Sequence, residues 1–283
     1  MTEPTSAAGQ AAWQRLVSQP ESALLAFDFD GTLSPIVPDP AQAYVHPDAV
    51  AVLGRLGAHV GAIAIVTGRP VEMVLRLSGL ADAPGLGRLQ VLGQYGVERW
   101  RADTGQIEAP PPPAGIAVAR EQLPGLLDEL GLSAAHLEDK GRAIGVHVRR
   151  LPDPASAFEQ LRGPLQEFAD ANDLHLEPGR MVLELRGAGV DKGEALRGLV
   201  EEVGARVVAY GGDDLGDLPA YDAVEAMRSD PDGPAGLLIC PASEEQPVMA
   251  ARADLVVDGP VGLVAVLTEL ADAIETRSGS SES

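Results

Sequence analysis

Two carboxylates, Asp28 and Asp30, follow directly on the apolar run Leu24-Leu25-Ala26-Phe27 and are broken off by Gly31-Thr32. Side chains two apart on an extended segment leave the same face, so the spacing predicts a crowded pair. Two acids held together repel each other unless a cation or a shared proton relieves them. Three other stretches could join them. They are Thr67-Gly68-Arg69 after an apolar run, Asp191-Lys192-Gly193, and Gly212-Asp213-Asp214-Leu215-Gly216-Asp217. Several carboxylates without His or Cys suit a hard cation, so Mg²⁺ is the expected metal rather than Zn²⁺. The Thr67 hydroxyl and the Lys192 ammonium beside that cation suit a phosphoryl group, whose transfer needs charge neutralised more than it needs covalent help. No P-loop pattern is present, which argues against a nucleotide kinase.

These residues need elements to carry them. Apolar runs predict buried strands over 24–29, 61–66, 89–92 and 206–210, with helical spacing between them. Alternating strands and helices imply an α/β fold with a parallel, Rossmann-like sheet, whose carboxyl-end loops gather along one edge. Gly31 ends the first strand and permits a tight turn. The texture changes at the proline run 110–113. A helix is expected over 116–130, strands over 137–140 and 143–149, and a helix over 153–172. Strands over 174–177 and 181–186 then follow, joined at Pro178-Gly179. That order implies an α+β unit with an antiparallel sheet. The expected organisation is a core of 1–105 and 189–283 with an inserted domain over 106–188. The polar segment 277–283 is expected to be disordered.

Composition narrows the classes. The chain has 283 residues and a formal net charge of −21, which argues against nucleic-acid and anionic-membrane partners. No apolar run is long enough to span a membrane and no secretory signal is evident, so a cytoplasmic location is expected; the chain is expected to act as a monomer. The lone cysteine, Cys240, lies in an apolar run and reads as a small buried hydrophobe. Of 21 basic residues only Lys140 and Lys192 are lysines. Each is a place where a compact ammonium would serve better than a guanidinium fork.

Taken together, Asp28-Phe-Asp30-Gly-Thr-Leu, Thr67, Lys192 and Gly212-Asp213-Asp214-x-x-Asp217 resemble the four motifs of the haloacid dehalogenase superfamily of phosphotransferases. The inserted segment is similar to the C2-type cap domain of trehalose-6-phosphate phosphatases. It carries Leu137-Glu138-Asp139-Lys140, Val146-His147-Val148-Arg149 and Met181 through Arg186, and is preceded by Gly93-Gln94-Tyr95-Gly96-Val97-Glu98. The resemblance implies that Asp28 attacks phosphorus to form an aspartyl phosphate. Asp30 would then be the proton carrier, protonated at the start. It implies Mg²⁺ on Asp28, the main-chain carbonyl of Asp30 and Asp213, with Asp217 or Asp214 completing the shell or orienting Lys192. Arg69, Glu138, Lys140, Arg149 and Glu184 would bind the phosphorylated disaccharide. Independently of the family, Glu138 and Lys140 share one strand face, and carboxylates and cations on a sheet face suit sugar hydroxyls. The rival expectations are the same chemistry on a glycosyl-3-phosphoglycerate or sucrose 6-phosphate, and a non-catalytic sugar-phosphate sensor.

Overall fold

The computed structural model of the protein describes residues 3–179, 181–187, 191–242 and 247–281. Two compact units emerge, one of Met1–Ala109 with Val190–Ser283 and one of Pro110–Gly189. The first unit opens with α1 (Ala7–Ser18), β1 (Ala23–Phe27), α2 (Pro47–Gly57), β2 (Ala62–Val66) and α3 (Val71–Ser78). It continues with β3 (Leu89–Gly93), β4 (Glu98–Arg101) and β5 (Ile107–Glu108). The second unit holds α4 (Ala114–Glu129), β6 (His136–Asp139), β7 (Ala143–His147), α5 (Pro154–Ala171), β8 (Leu174–Gly179) and β9 (Val182–Gly187). The first unit then resumes with α6 (Lys192–Val203), β10 (Val207–Gly211), α7 (Leu218–Ser229), β11 (Ala235–Ala242), α8 (Pro247–Arg252), β12 (Leu255–Asp258) and α9 (Gly259–Ser281).

The first unit is a three-layer α/β fold. Its eight-stranded sheet runs β12-β11-β10-β1-β2-β3-β4-β5. The strands from β12 to β3 pair in parallel, and β4 and β5 add antiparallel. β1 lies between β10 and β2, where successive strands begin to be laid down in the other direction. That crevice is where open α/β sheets bind ligands. Both faces are apolar, as a covered parallel sheet requires. Leu25, Phe27, Ile63 and Ile65 pack on one side with Leu53, Val74 and Leu267 of the helices. Leu24, Ala26, Val66 and Val208 pack on the other with Leu196, Leu199 and Val224.

In the second unit the four-stranded sheet runs β6-β7-β9-β8, all antiparallel. Ile144, Val146, Leu183 and Leu185 face α4 and α5 and meet Ile116, Leu123, Leu161 and Leu165. The alternate residues form a polar face, as the period of two dictates.

Several boundaries differ from the sequence expectation. The first unit extends to Ala109 rather than 105, because Ile107 and Glu108 pair with Trp100 and Arg99 of β4. Pro178 and Gly179 lie inside β8, paired with Leu183 and Val182, so the turn falls after them; Met181 there has φ +54°. The strand expected over 143–149 stops at His147. The tail expected to be disordered from 277 instead continues α9 to Ser281, with the Thr276 and Ser278 hydroxyls donating to the carbonyls of Asp272 and Ile274. Such back-bonding lets polar residues ride on a helix whose apolar stripe is already docked.

Candidate active site

β1 ends at Phe27, whose register partners are Gly211 on β10 and Ile65 on β2. Asp28, Asp213 and Thr67 therefore leave adjacent strands at one edge. Asp28 continues the ladder for one more bond, its N–H donating to the Gly211 carbonyl at 2.8 Å. Gly31 then turns with φ +76°, and a Cβ there would lie 2.1 Å from Asp213 Oδ2. Only glycine lets the Asp213 carboxylate lie against this turn. Asp28, Asp213 and Asp217 each offer an oxygen within 4.8 Å of the others, and all three are buried.

Lys192, the first residue of α6 and 4 % exposed, joins two of them. Its Nζ lies 2.8 Å from Asp28 Oδ1 and 2.8 Å from Asp217 Oδ1. Burial by itself lowers the ammonium, but Asp217 and Asp28 outweigh it and hold Lys192 well above the ordinary lysine value. Asp28 moves the other way from an ordinary acid. Burial raises its carboxyl well above the usual range against the pull of Lys192, with Asp217, Asp214 and Asp213 adding to the rise. Asp213 is pushed up to about 8, first by burial and then by Asp217 and Asp214, with Thr32 and Lys192 opposing.

Asp217 is fully engaged. Oδ1 accepts from Lys192 and from the Tyr210 hydroxyl at 2.6 Å, while Oδ2 accepts from the backbone N–H groups of Asp213 and Asp214. Four donors on one buried carboxylate leave it no lone pair for a cation. Asp217 thus holds the Lys192 ammonium, a geometry that suits the second of its two expected roles. Asp214 is exposed, accepts from Gly216 N–H at 2.9 Å and caps the turn over 215–217, outside the buried cluster. Asp28 and Asp213 remain. Each has one oxygen engaged, with Lys192 and the Thr32 hydroxyl (3.1 Å) respectively, and one left over. Three buried acids against one ammonium, with an all-oxygen donor set, fit a hard divalent cation. Asp28 and Asp213 are the carboxylates with an oxygen left to hold such a cation.

The Thr67 loop is fixed from its neighbours. Tyr95 N–H donates to the Thr67 carbonyl and Gln94 N–H to the Arg69 carbonyl, from a turn in which both residues have positive φ. Glu98 accepts the first N–H of α3, from Val71, at 2.8 Å. The Thr67 hydroxyl is buried and accepts from Arg69 N–H. Arg69, expected as a substrate ligand, is engaged within the chain. Its guanidinium forks onto both oxygens of Asp30 at 2.6 and 2.7 Å, donates to the Pro40 carbonyl and Met73 sulfur, and lies over the Phe29 ring. Its planar fork is spent on tethering Asp30. Asp30 is thus tethered in an ion pair, and its side chain is 40 % exposed against 6 % for Asp28.

The polar face of the second unit carries the other candidates. Lys140 ion-pairs with Glu184 and lies 3.9 Å from Glu138. Glu184 is 4 % exposed and its Oε1 is buried without a hydrogen-bond partner. Arg149 is exposed and two residues past the end of β7.

Residues 26–245 match the family model for trehalose-phosphatase. The chain belongs to the trehalose-phosphatase family. It is 30% identical to a trehalose-phosphate phosphatase of Mycobacterium avium over 89% of this chain and 63% of that one. It is 29% identical to a probable trehalose-phosphate phosphatase of Sinorhizobium fredii over 72% of this chain and 74% of the other. The chain thus spans about 63% of the length of the first of these relatives. The fold is that of the C-terminal domain of C. albicans trehalose-6-phosphate phosphatase, with a TM-score of 0.71 at 20% identity, covering 95% of this chain and 98% of that one.

For a trehalose-phosphatase family member, sequence reasoning missed two partners of the site. Thr32 was part of the quoted pattern, yet its bond to Asp213 depends on a contact across 181 residues. Tyr210 ends a strand that reads as continuous core, and only its hydroxyl, aimed at Asp217, marks it out. No helix among the described residues is long and apolar enough to cross a membrane.

Proposed function

We propose that this chain hydrolyses trehalose 6-phosphate to trehalose and phosphate with Mg²⁺. The observation that carries the reading is the buried Asp28–Lys192–Asp217 relay beside Asp213, at the strand edge where the sheet order reverses. Asp28 attacks phosphorus; the P–O bond to the sugar breaks as the P–O bond to Asp28 forms. One arm of the Arg69 fork releases, the freed Asp30 oxygen takes up a proton from solvent, and Asp30 gives that proton to the departing sugar oxygen. Asp30 then takes a proton from water, which attacks phosphorus and frees Asp28. Lys192 and Thr67 receive phosphoryl oxygens, and Asp217 holds Lys192 in place. When bound at Asp28 and Asp213, Mg²⁺ supplies neutralisation of the phosphoryl charge.

The inserted unit supplies sugar recognition. Its support is the orphaned Glu184 Oε1, a buried acceptor that a sugar hydroxyl would satisfy, next to Lys140 and Glu138. Arg149 enters this reading on family resemblance alone. The protein acts as a cytoplasmic monomer, consistent with a single buried cysteine. The test is phosphate release from trehalose 6-phosphate, sucrose 6-phosphate and a glycosyl-3-phosphoglycerate, with and without Mg²⁺. Trehalose 6-phosphate is expected to have the highest kcat/KM and to need the metal. A better rival substrate removes the specific claim.

A further inference from the structure

Across the inserted sheet, register places Glu138, Gly145, Glu184 and Glu177 in one row. Directly opposed residues share a face. The row therefore carries three carboxylates and, on the second of its four strands, nothing. Glycine weakens a strand interior and marks a place where something approaches the backbone closely. Here that something is the His147 ring. A Cβ on Gly145 would lie 3.1 Å from His147 Nε2 and 3.4 Å from Val182 Cγ2. From that seat Nε2 reaches Glu138 Oε2 at 2.8 Å, and the ring tilts against His136 with centroids 5.8 Å apart. The imidazole is thus fixed on three sides: by the bare backbone beneath it, by His136, and by Glu138.

A surface ion pair would need no glycine, since two long side chains can meet above an ordinary strand. The missing side chain at 145 is what lets the ring lie low and reach diagonally. We propose that His147, seated in the space Gly145 leaves, is a positioning residue that fixes the orientation of Glu138 and so helps select the sugar. The inference rests on the reading of Glu138 as a sugar ligand. His147 touches no substrate; it acts through Glu138, donating from Nε2 to Oε2 and so fixing the orientation of that carboxylate.

The test uses the full chain with two substrates, trehalose 6-phosphate and p-nitrophenyl phosphate, the second having no sugar hydroxyls. His147→Phe keeps a ring without the N–H. It is expected to raise KM for trehalose 6-phosphate roughly tenfold, the size of one charge-assisted hydrogen bond, with kcat little changed. Kinetics on p-nitrophenyl phosphate should stay as in the parent. His147→Gln, whose amide nitrogen falls near the Nε2 position, should restore KM. Gly145→Ala, which displaces the ring, should raise it by a smaller factor. Should His147→Phe not fold, His147→Asn, whose amide stops short of Glu138, carries the same expectation. In a Glu138→Ala background the His147→Phe change should add nothing. If Glu138→Ala raises KM and His147→Phe does not, or the two effects simply add, the inference is overturned and the sugar reading stands. If Glu138→Ala leaves KM unchanged, the sugar reading falls and takes the inference with it.

Discussion

The buried cluster of the first unit and the polar sheet face of the second hold similar residue types in different ways. In the cluster, Lys192 and Asp217 are 4 % and 0 % exposed in their side chains, and each bond is short and shared. On the sheet face, Glu138 and His147 remain 27 % and 30 % exposed, and their pairing is set by which strands lie side by side. Groups of the first kind are placed by strand ends and helix starts, so they suit chemistry that fails when an atom moves by an ångström. Groups of the second kind are placed by register, so they suit recognition, where each contact contributes a modest part of affinity.

That contrast predicts a hierarchy of effects. Removing the ammonium with Lys192→Ala strips the phosphoryl group of its fixed cation and is expected to lower kcat by ~10²–10³, as loss of a preorganised electrostatic group does. A fall of less than tenfold would break the comparison, since Lys192 would then behave like a sheet-face residue. Asp213→Asn and Asp217→Asn separate metal ligand from orienter. The first should weaken Mg²⁺ binding by calorimetry. The second should lower kcat by about tenfold or more while leaving Mg²⁺ affinity nearly unchanged, because it removes an acceptor of a charged hydrogen bond and no metal ligand. On the sheet face, Glu184→Gln should raise KM for trehalose 6-phosphate by about tenfold, with kcat held. A kcat loss matching Lys192→Ala would place Glu184 in the chemistry and erase the distinction.

The last effect concerns stability rather than turnover. Asp213 is raised to about 8 from an ordinary 3.8, so between those values the metal-free folded state holds a proton that the unfolded chain has lost. Folded-state protons of this kind stabilise at low pH and the benefit disappears as pH rises through about 8. The metal-free protein should therefore lose stability from pH 5 to pH 8 through this group. A divalent cation replaces the proton, so the rise in Tm on adding Mg²⁺ should grow over the same window. Saturation at a hundred times Kd corresponds to about 2.7 kcal/mol. A Mg²⁺ effect independent of pH would count against Asp213 as a ligand.

Much of the first unit was legible because its chemistry sits where apolar runs stop. Leu24 to Phe27 followed by Asp28, or the run to Val66 followed by Thr67, announces both the strand and the group at its end. The sequence leaves the roles of Asp217 and Asp214 open; in the fold Asp217 takes four donors and Asp214 is an exposed cap, contacts that spacing does not announce. The ion pair of Arg69 with Asp30 is not legible in the sequence, because it links two different strand-end loops. In the inserted unit, helices and strands could be read from periodicity, but Gly145 could not be paired with His147, nor Glu138 with either. Those relations exist only once β6 and β7 have chosen a register. Arg149 is expected in the sheet-face group from motif similarity, and the strand that carries the motif ends two residues before it, at His147.

The central claim is that Asp28, buried against Lys192, is the nucleophile of a sugar-phosphate phosphatase. The most direct test compares Asp28→Asn with the parent chain for phosphate release from trehalose 6-phosphate in Mg²⁺. The account predicts no measurable turnover in the variant, with binding of the sugar phosphate largely retained by calorimetry. Turnover within tenfold of the parent would contradict it.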